Sequence, residues 1–119
     1  MWGLGNGLVY QLYRKACDMR KGCDGLSGLV SHELGRDPLS GEVFIFLNRT
    51  GNLIKLLRWE AGGFVLYYKR LEQGTFTPPL LEEGSTLIKW PELVLMLEGI
   101  AIKEYKQKPR FKLEKQVGS

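Results

Sequence analysis

Residues 17–30 read CDMRKGCDGLSGLV and gather two thiols, two carboxylates, two cations and three glycines at intervals of three. Thiols six residues apart can ligate a metal or close a disulfide. A zinc site draws four ligands, commonly Cys and His, and His32 is the chain's one histidine, so no metal is expected. A disulfide across so short a loop gains little, and free, partly buried thiols are the expectation. Ser31 and His32 stand side by side without the strand–turn–helix elbow that exposes a nucleophile. The carboxylates are scattered beside bases or in turns, not clustered as two-metal chemistry requires. GLGNG at 3–7 echoes a dinucleotide loop, but no strand precedes it. Neither a catalytic centre nor a cofactor is expected, and the chain does not read as an enzyme.

The elements that position these residues follow from periodicity. Residues 8–13 (LVYQLY) read as a short strand. Met19, Cys23, Leu26, Val30 and Leu34 step by four, three, four and four, the apolar face of a helix. Asp18 can cap its start and Gly35 can close it in the left-handed conformation. Residues 42–47 (EVFIFL) are apolar on both faces, the pattern of a central strand covered on both sides. NRTGN at 48–52 is a hairpin turn, 53–59 (LIKLLRW) a second strand, EAGG at 60–63 a further turn, and 64–71 (FVLYYKRL) a third strand. Such spacing predicts an antiparallel meander, with a short extra piece at 75–77 and another extended piece at 86–89. Pro91 suits the first turn of a helix over 91–98.

The expected fold is therefore α+β: a small antiparallel sheet of three to five strands packed against one helix, then a short C-terminal helix and a basic tail. One domain is expected over 1–102, with a flexible, Lys-rich tail over 103–119. No apolar run approaches the roughly 20 residues of a membrane span, and the first residues lack a basic leader with a small-residue cleavage site. A cytoplasmic protein is expected, with no membrane and no small-molecule substrate among its partners.

Two features of the opening stretch stay open at this level. Each glycine inside a helix costs about 1 kcal/mol relative to alanine, so Gly22, Gly25 and Gly28 call for a compensating gain. Either they let the helix lie against the Phe44, Phe46 or Trp59 side of the sheet, or a ligand backbone approaches there. Arg20 and Lys21 fall in the expected first turn, where the helix dipole disfavours cations. Either Asp18 and Asp24 offset them, or they join free N–H groups in a phosphate site.

Charge along the chain is uneven. Residues 1–70 hold ten basic and six acidic side chains, 71–102 hold Lys89 against five glutamates, and 103–119 hold six basic and two acidic. A basic body and tail point to an acidic partner, most often nucleic acid. The meander interleaves Arg49, Lys55, Arg58, Lys69 and Arg70 with Trp59, Tyr67 and Tyr68. Cations beside aromatics on a sheet can hold phosphates and stack on bases. Equally, long cationic stems can cover apolar sheet surface.

DMRKGCDGLSGLV at 18–30, RDPLSGEVFIFLNR at 36–49 and IKLLRWEAGGFVLYYKRLEQGTF at 54–76 together resemble the small TnpB-type accessory proteins of insertion-sequence group sixty-six. These are distinct from the RNA-guided nuclease that shares the TnpB label. The resemblance covers most of residues 8–100. It implies a non-enzymatic helper of DNA transposition, encoded beside a larger transposase, and it carries no catalytic residues. Relatives often place a run of arginines in the first hairpin turn, where this chain has Asn48-Arg49-Thr50-Gly51-Asn52. With the basic body, the resemblance makes Arg20, Lys21, Arg49, Lys55, Arg58, Lys69 and Arg70 the candidate DNA-binding residues. Transposon-end DNA and the transposase of the same element are the expected partners. A module that docks on or assembles the transposase without reading DNA is the other reading, with the acidic 71–102 segment facing a basic partner.

Overall fold

The structure is a computed structural model and describes residues 3–98; the expected tail over 103–119 and the domain boundary at 102 lie outside them. Five strands form one sheet: β1 (Tyr10–Ala16), β2 (Val43–Leu47), β3 (Leu53–Glu60), β4 (Gly63–Arg70) and β5 (Leu87–Ile88), in the order β4-β3-β2-β1-β5. Helix α1 (Cys23–Leu29) lies between β1 and β2 in the chain, and α2 (Trp90–Leu97) follows β5.

β2, β3 and β4 form the antiparallel meander expected of them, with Phe44 opposite Leu57 and Lys55 opposite Tyr68. β1, however, runs parallel to β2, pairing Tyr10 with Val43 and Leu12 with Ile45. Parallel neighbours need a long crossover, and the chain through α1 supplies it. The sheet is thus mixed, not purely antiparallel, and β5 closes antiparallel on the other side of β1.

Strand alternation sends side chains to two cores. On one face Tyr10, Leu12, Val43, Ile45, Ile54 and Leu56 pack with Leu93, Met96 and Leu97 of α2. On the other Tyr13, Phe44, Phe46 and Leu57 pack with Leu26 and Val30. Two helices therefore cover opposite faces, where one helix against the sheet was expected. This is why β2 reads as a continuous apolar run: Val43, Phe44, Ile45 and Phe46 are all fully buried.

The first helix is shorter than its periodicity suggests. Gly22 is extended (φ −94°, ψ −160°) and the helix begins at Cys23, with no side-chain cap. Asp18 therefore does not cap it, and Arg20 and Lys21 precede it instead of occupying its first turn. The chain then widens into a π-helical turn (Val30–Leu34) and stops at Gly35, φ 64°, whose N–H and that of Arg36 both reach the Val30 carbonyl. The glycines are not a packing surface against the sheet. A Cβ on Gly22 or Gly28 would meet open space, and one on Gly25 would meet the Lys21 stem at 3.1 Å. Leu26 and Val30 make the sheet contact.

Polar groups lock the register at the end of the sheet where β2 begins. Gln11, buried, donates to Glu42 Oε1 at 3.0 Å and accepts from the Thr86 hydroxyl at 2.6 Å, while Arg36 grips the same Glu42 at 2.8 Å. Burial would raise the Glu42 pKa, but the hydrogen bonds from Arg36, Gln11 and Ser40 outweigh it and hold the carboxyl below its ordinary value.

Candidate nucleic-acid interface

The opposite end of the sheet gathers the C-terminal ends of β1, β2 and β4 with the start of β3. β1 carries a register irregularity there: Leu12 faces Ile45, but Ala16 faces Leu47. The two extra residues on β1 bulge the strand and re-aim its side chains, leaving Arg14 and Lys15 exposed. The Cys17 N–H returns to the Leu47 carbonyl at 2.8 Å, so the chain leaves the sheet beside the turn that carries Arg49. Arg14, Lys15 and Arg49 share the lining of a shallow cleft of about 200 Å³ with Tyr13, Asn48 and Pro78.

The 17–22 loop is built on Asp18. Its carboxylate accepts from the Arg20 N–H at 2.9 Å and from the Arg20 guanidinium at 2.8–3.2 Å, and its carbonyl accepts from the Lys21 N–H at 3.1 Å. The Arg20 side chain and then its N–H hold the Asp18 carboxyl well below the usual range. Lys55 anchors the loop from underneath, donating to the carbonyls of Met19 at 2.7 Å and Lys21 at 3.0 Å. With Lys55 only 8% exposed, its ammonium is a structural tether and is not presented to a ligand, contrary to expectation.

Of the other expected cations, Arg20, Lys21, Arg49 and Arg70 are exposed at this same end. Arg20 is shared with Asp18 and Arg70 lies 3.7 Å from Glu72, whereas Lys21 and Arg49 have no carboxylate partner among the described residues. Lys69 reaches this end on the other face and donates to the Leu97 carbonyl at 2.6 Å, a favourable place for a cation at the C-terminus of α2. Arg58 sits towards the far end, half-buried, 3.4 Å from Glu60, with its Nε unpartnered. The basic and aromatic residues of the meander are consequently split between two helix-covered faces and do not form one binding face.

Arg14 and Lys15 complete the cationic end and were not among the expected residues. Arg14 donates to the backbone carbonyl of Ser85 at 2.9 Å, and Lys15 lies 3.3 Å from Glu33. Glu33 also accepts from the Tyr13 hydroxyl at 2.9 Å, which with Lys15 keeps its carboxyl below the ordinary value. The only signal for the pair was their place directly after LVYQLY, where an extended strand would carry them to the sheet end.

Among the described residues no three His, Cys, Asp or Glu side chains come close enough to hold a metal. Cys17 and Cys23 are free thiols, and burial pushes the Cys17 thiol up, away from the reactive thiolate. No helix among the described residues is long and apolar enough to cross a membrane.

Comparison with known proteins identifies relatives of the chain. The family described as IS66 Orf2 like protein matches residues 8–107. The uncharacterized protein y4jC of Sinorhizobium fredii is 30% identical over 109 residues, covering 92% of this chain and 93% of that protein. A second uncharacterized protein of the same organism, y4hO, is 37% identical over 83 residues, 70% of this chain and 72% of that one. No solved structure gives a significant match.

Proposed function

The chain belongs to the IS66 Orf2-like family, a family of insertion-sequence accessory proteins and not a known enzyme class, and from that premise we propose that its part in transposition is to bind duplex DNA non-catalytically through the cationic end of the sheet. Lys21 and Arg49 are the central contacts, flanked by Arg14, Lys15, Arg20 and Arg70. The observation that carries the reading is the convergence of these six side chains, from three strand ends and the Asp18 loop, on one end of a sheet whose two faces are already covered. Cations on a rigid rim meet phosphates without first ordering a flexible segment, and phosphate contacts supply most non-specific affinity. Lys55 serves the same end indirectly, by holding the loop that carries Arg20 and Lys21.

The test is a fluorescence titration against a labelled end of the element and a scrambled duplex of equal length, repeated across salt concentrations. Each phosphate contact contributes about 0.9 to the slope of log affinity against log salt. The Lys21→Ala, Arg49→Ala double variant should shallow that slope by about 2 on both duplexes. Unchanged affinity and slope in a folded double variant would overturn the assignment.

A second reading, docking on the transposase, is supported by the loop before β5, where Leu80 is 84% exposed close in sequence to the exposed Glu82 and Glu83. An apolar side chain beside carboxylates suits a basic partner surface. Co-purification with the transposase after nuclease treatment, lost on Leu80→Ser, favours it; loss of co-purification on nuclease treatment alone rules it out.

A further inference from the structure

The two edges of the sheet are built differently. β5 is two residues long, whereas β4 pairs with β3 through eight consecutive residues without a bulge and has no strand on its other side among the described residues. Long regular edges invite pairing, and proteins usually blunt them with proline, a bulge or an inward charge. Residues 63–68 of β4 (GFVLYY) carry none of these, and the strand's charges, Lys69 and Arg70, stand only at its last two positions.

The direction of its backbone groups is fixed by one bond. The Leu71 N–H reaches the Asn52 carbonyl at 2.9 Å, continuing the β3–β4 register that pairs Arg70 with Leu53. Hydrogen-bonded pairs alternate along an antiparallel ladder. Lys69, Tyr67 and Val65 therefore turn their main-chain groups towards β3, and Phe64, Leu66, Tyr68 and Arg70 turn theirs to the open edge. The outward set reads aromatic, aliphatic, aromatic, cation, with Tyr68 51% exposed.

We propose that β4 is the self-association edge of this protein, pairing antiparallel with β4 of a second copy about a two-fold axis at Leu66. A two-fold perpendicular to a sheet pairs only residues of the same face, and on this edge those are also the residues whose N–H and C=O point outward. Leu66 then meets Leu66 of the partner, Phe64 meets the partner's Tyr68, and each such pair exchanges two main-chain hydrogen bonds. The cross-strand aromatic pair covers the exposed tyrosine ring. Charge agrees with this register. Lys69 falls opposite the partner's Gly63 and Arg70 opposite the partner's Gly62, so no cation faces a cation. The partner's Glu60, paired with its own Gly63, lies on the same face as Lys69, one strand further in. The result is a continuous ten-stranded sheet with an isologous interface.

Sedimentation of the full chain over a range of concentrations, with two kinds of variant, tests this independently of any DNA binding. The wild type should reach twice the chain mass, and Tyr68→Pro, which removes one outward N–H and an exposed ring, should fall to the single-chain mass with an unchanged far-UV circular dichroism spectrum. In a Cys23→Ser background, Leu66→Cys should give a covalent dimer on mild oxidation, because paired residues on neighbouring strands lie within disulfide reach. Val65→Cys, displaced from the axis and on the other face, should not. A wild type monomeric throughout, or equal cross-linking of the two cysteine variants, overturns the proposal. The cysteine comparison decides the matter even where Tyr68→Pro fails to fold.

Discussion

Replacing Lys55 by methionine separates structural from ligand-binding cations at the candidate interface. The substitution keeps an unbranched stem of similar volume and removes the ammonium that joins the Met19 and Lys21 carbonyls at 2.7 and 3.0 Å. Hydrogen bonds to a charged group each contribute about 1.5–3 kcal/mol, so two give a gross gain of about 3–6 kcal/mol. Against this stands the cost of taking the ammonium out of water, several kcal/mol for a fully buried ion and less for a side chain at the rim of the core. The carbonyls left behind lie in a surface loop and regain part of their solvation. The balance favours the wild type by about 2 kcal/mol, which at about 4–8 °C per kcal/mol for a domain of this size lowers Tm by about 10 °C. Thermal unfolding followed by circular dichroism reads the shift. Hydrogen exchange should also show lost protection at the Arg20 and Lys21 amides, whose acceptors belong to Asp18. A Tm within about 2 °C of wild type with those amides still protected would refute the tether, since desolvation would then cancel the bonds.

Two further outcomes follow from other parts of the fold. Glu42 is held below its ordinary pKa in the native state, so its stabilisation is complete above the unfolded carboxylate value near pH 4 and fades as pH falls through the folded one; Glu42→Gln should therefore lower Tm at neutral pH and flatten the loss of Tm on acidification, and an unchanged acid profile would contradict this. Ala61 has φ 52° and precedes Gly62 at φ 83° in the two-residue β3–β4 turn; Ala61→Asn should stabilise by about 0.5–1 kcal/mol in urea unfolding, because asparagine tolerates that conformation better, and a lower midpoint would count against the turn assignment.

How far these residues could be read in advance depended on whether the signal was local. β2, β3 and β4 were legible because apolar runs broken by glycine-bearing turns determine a hairpin's neighbours directly. Gly35 was legible for the same reason, as a stop signal at the end of a periodic face. The parallel pairing of β1 with β2 was not, since it rests on contacts between residues far apart and on the crossover between them. Asp18 looked like a cap because Ser, Thr, Asp and Asn before an apolar face usually are, yet Gly22 takes the extended conformation and Asp18 closes a turn of its own. Lys55 looked exposed because alternation within a strand assigns faces but does not say which face a loop will cover. Arg14 and Lys15 were hidden by a bulge, which no periodicity announces. The candidate site was thus legible in its composition and only partly in its membership.

The place of β1 in the sheet bears on how the chain acquires its structure as it is made. The strand synthesised first lies between β2 and β5, and Tyr10 stacks on Trp90 at 5.7 Å, joining sequence positions near opposite ends of the described chain. A nascent chain that has released only the meander holds β1 with one edge bare and one face of its core without α2. That exposed state persists until residues beyond Trp90 clear the ribosome, at roughly 5–20 residues per second. Pairings of such long sequence separation slow folding and lengthen exposure to aggregation. Completion of the fold is therefore a late event, and a chain interrupted before β5 would leave β1 with a bare edge and the core face that α2 covers exposed.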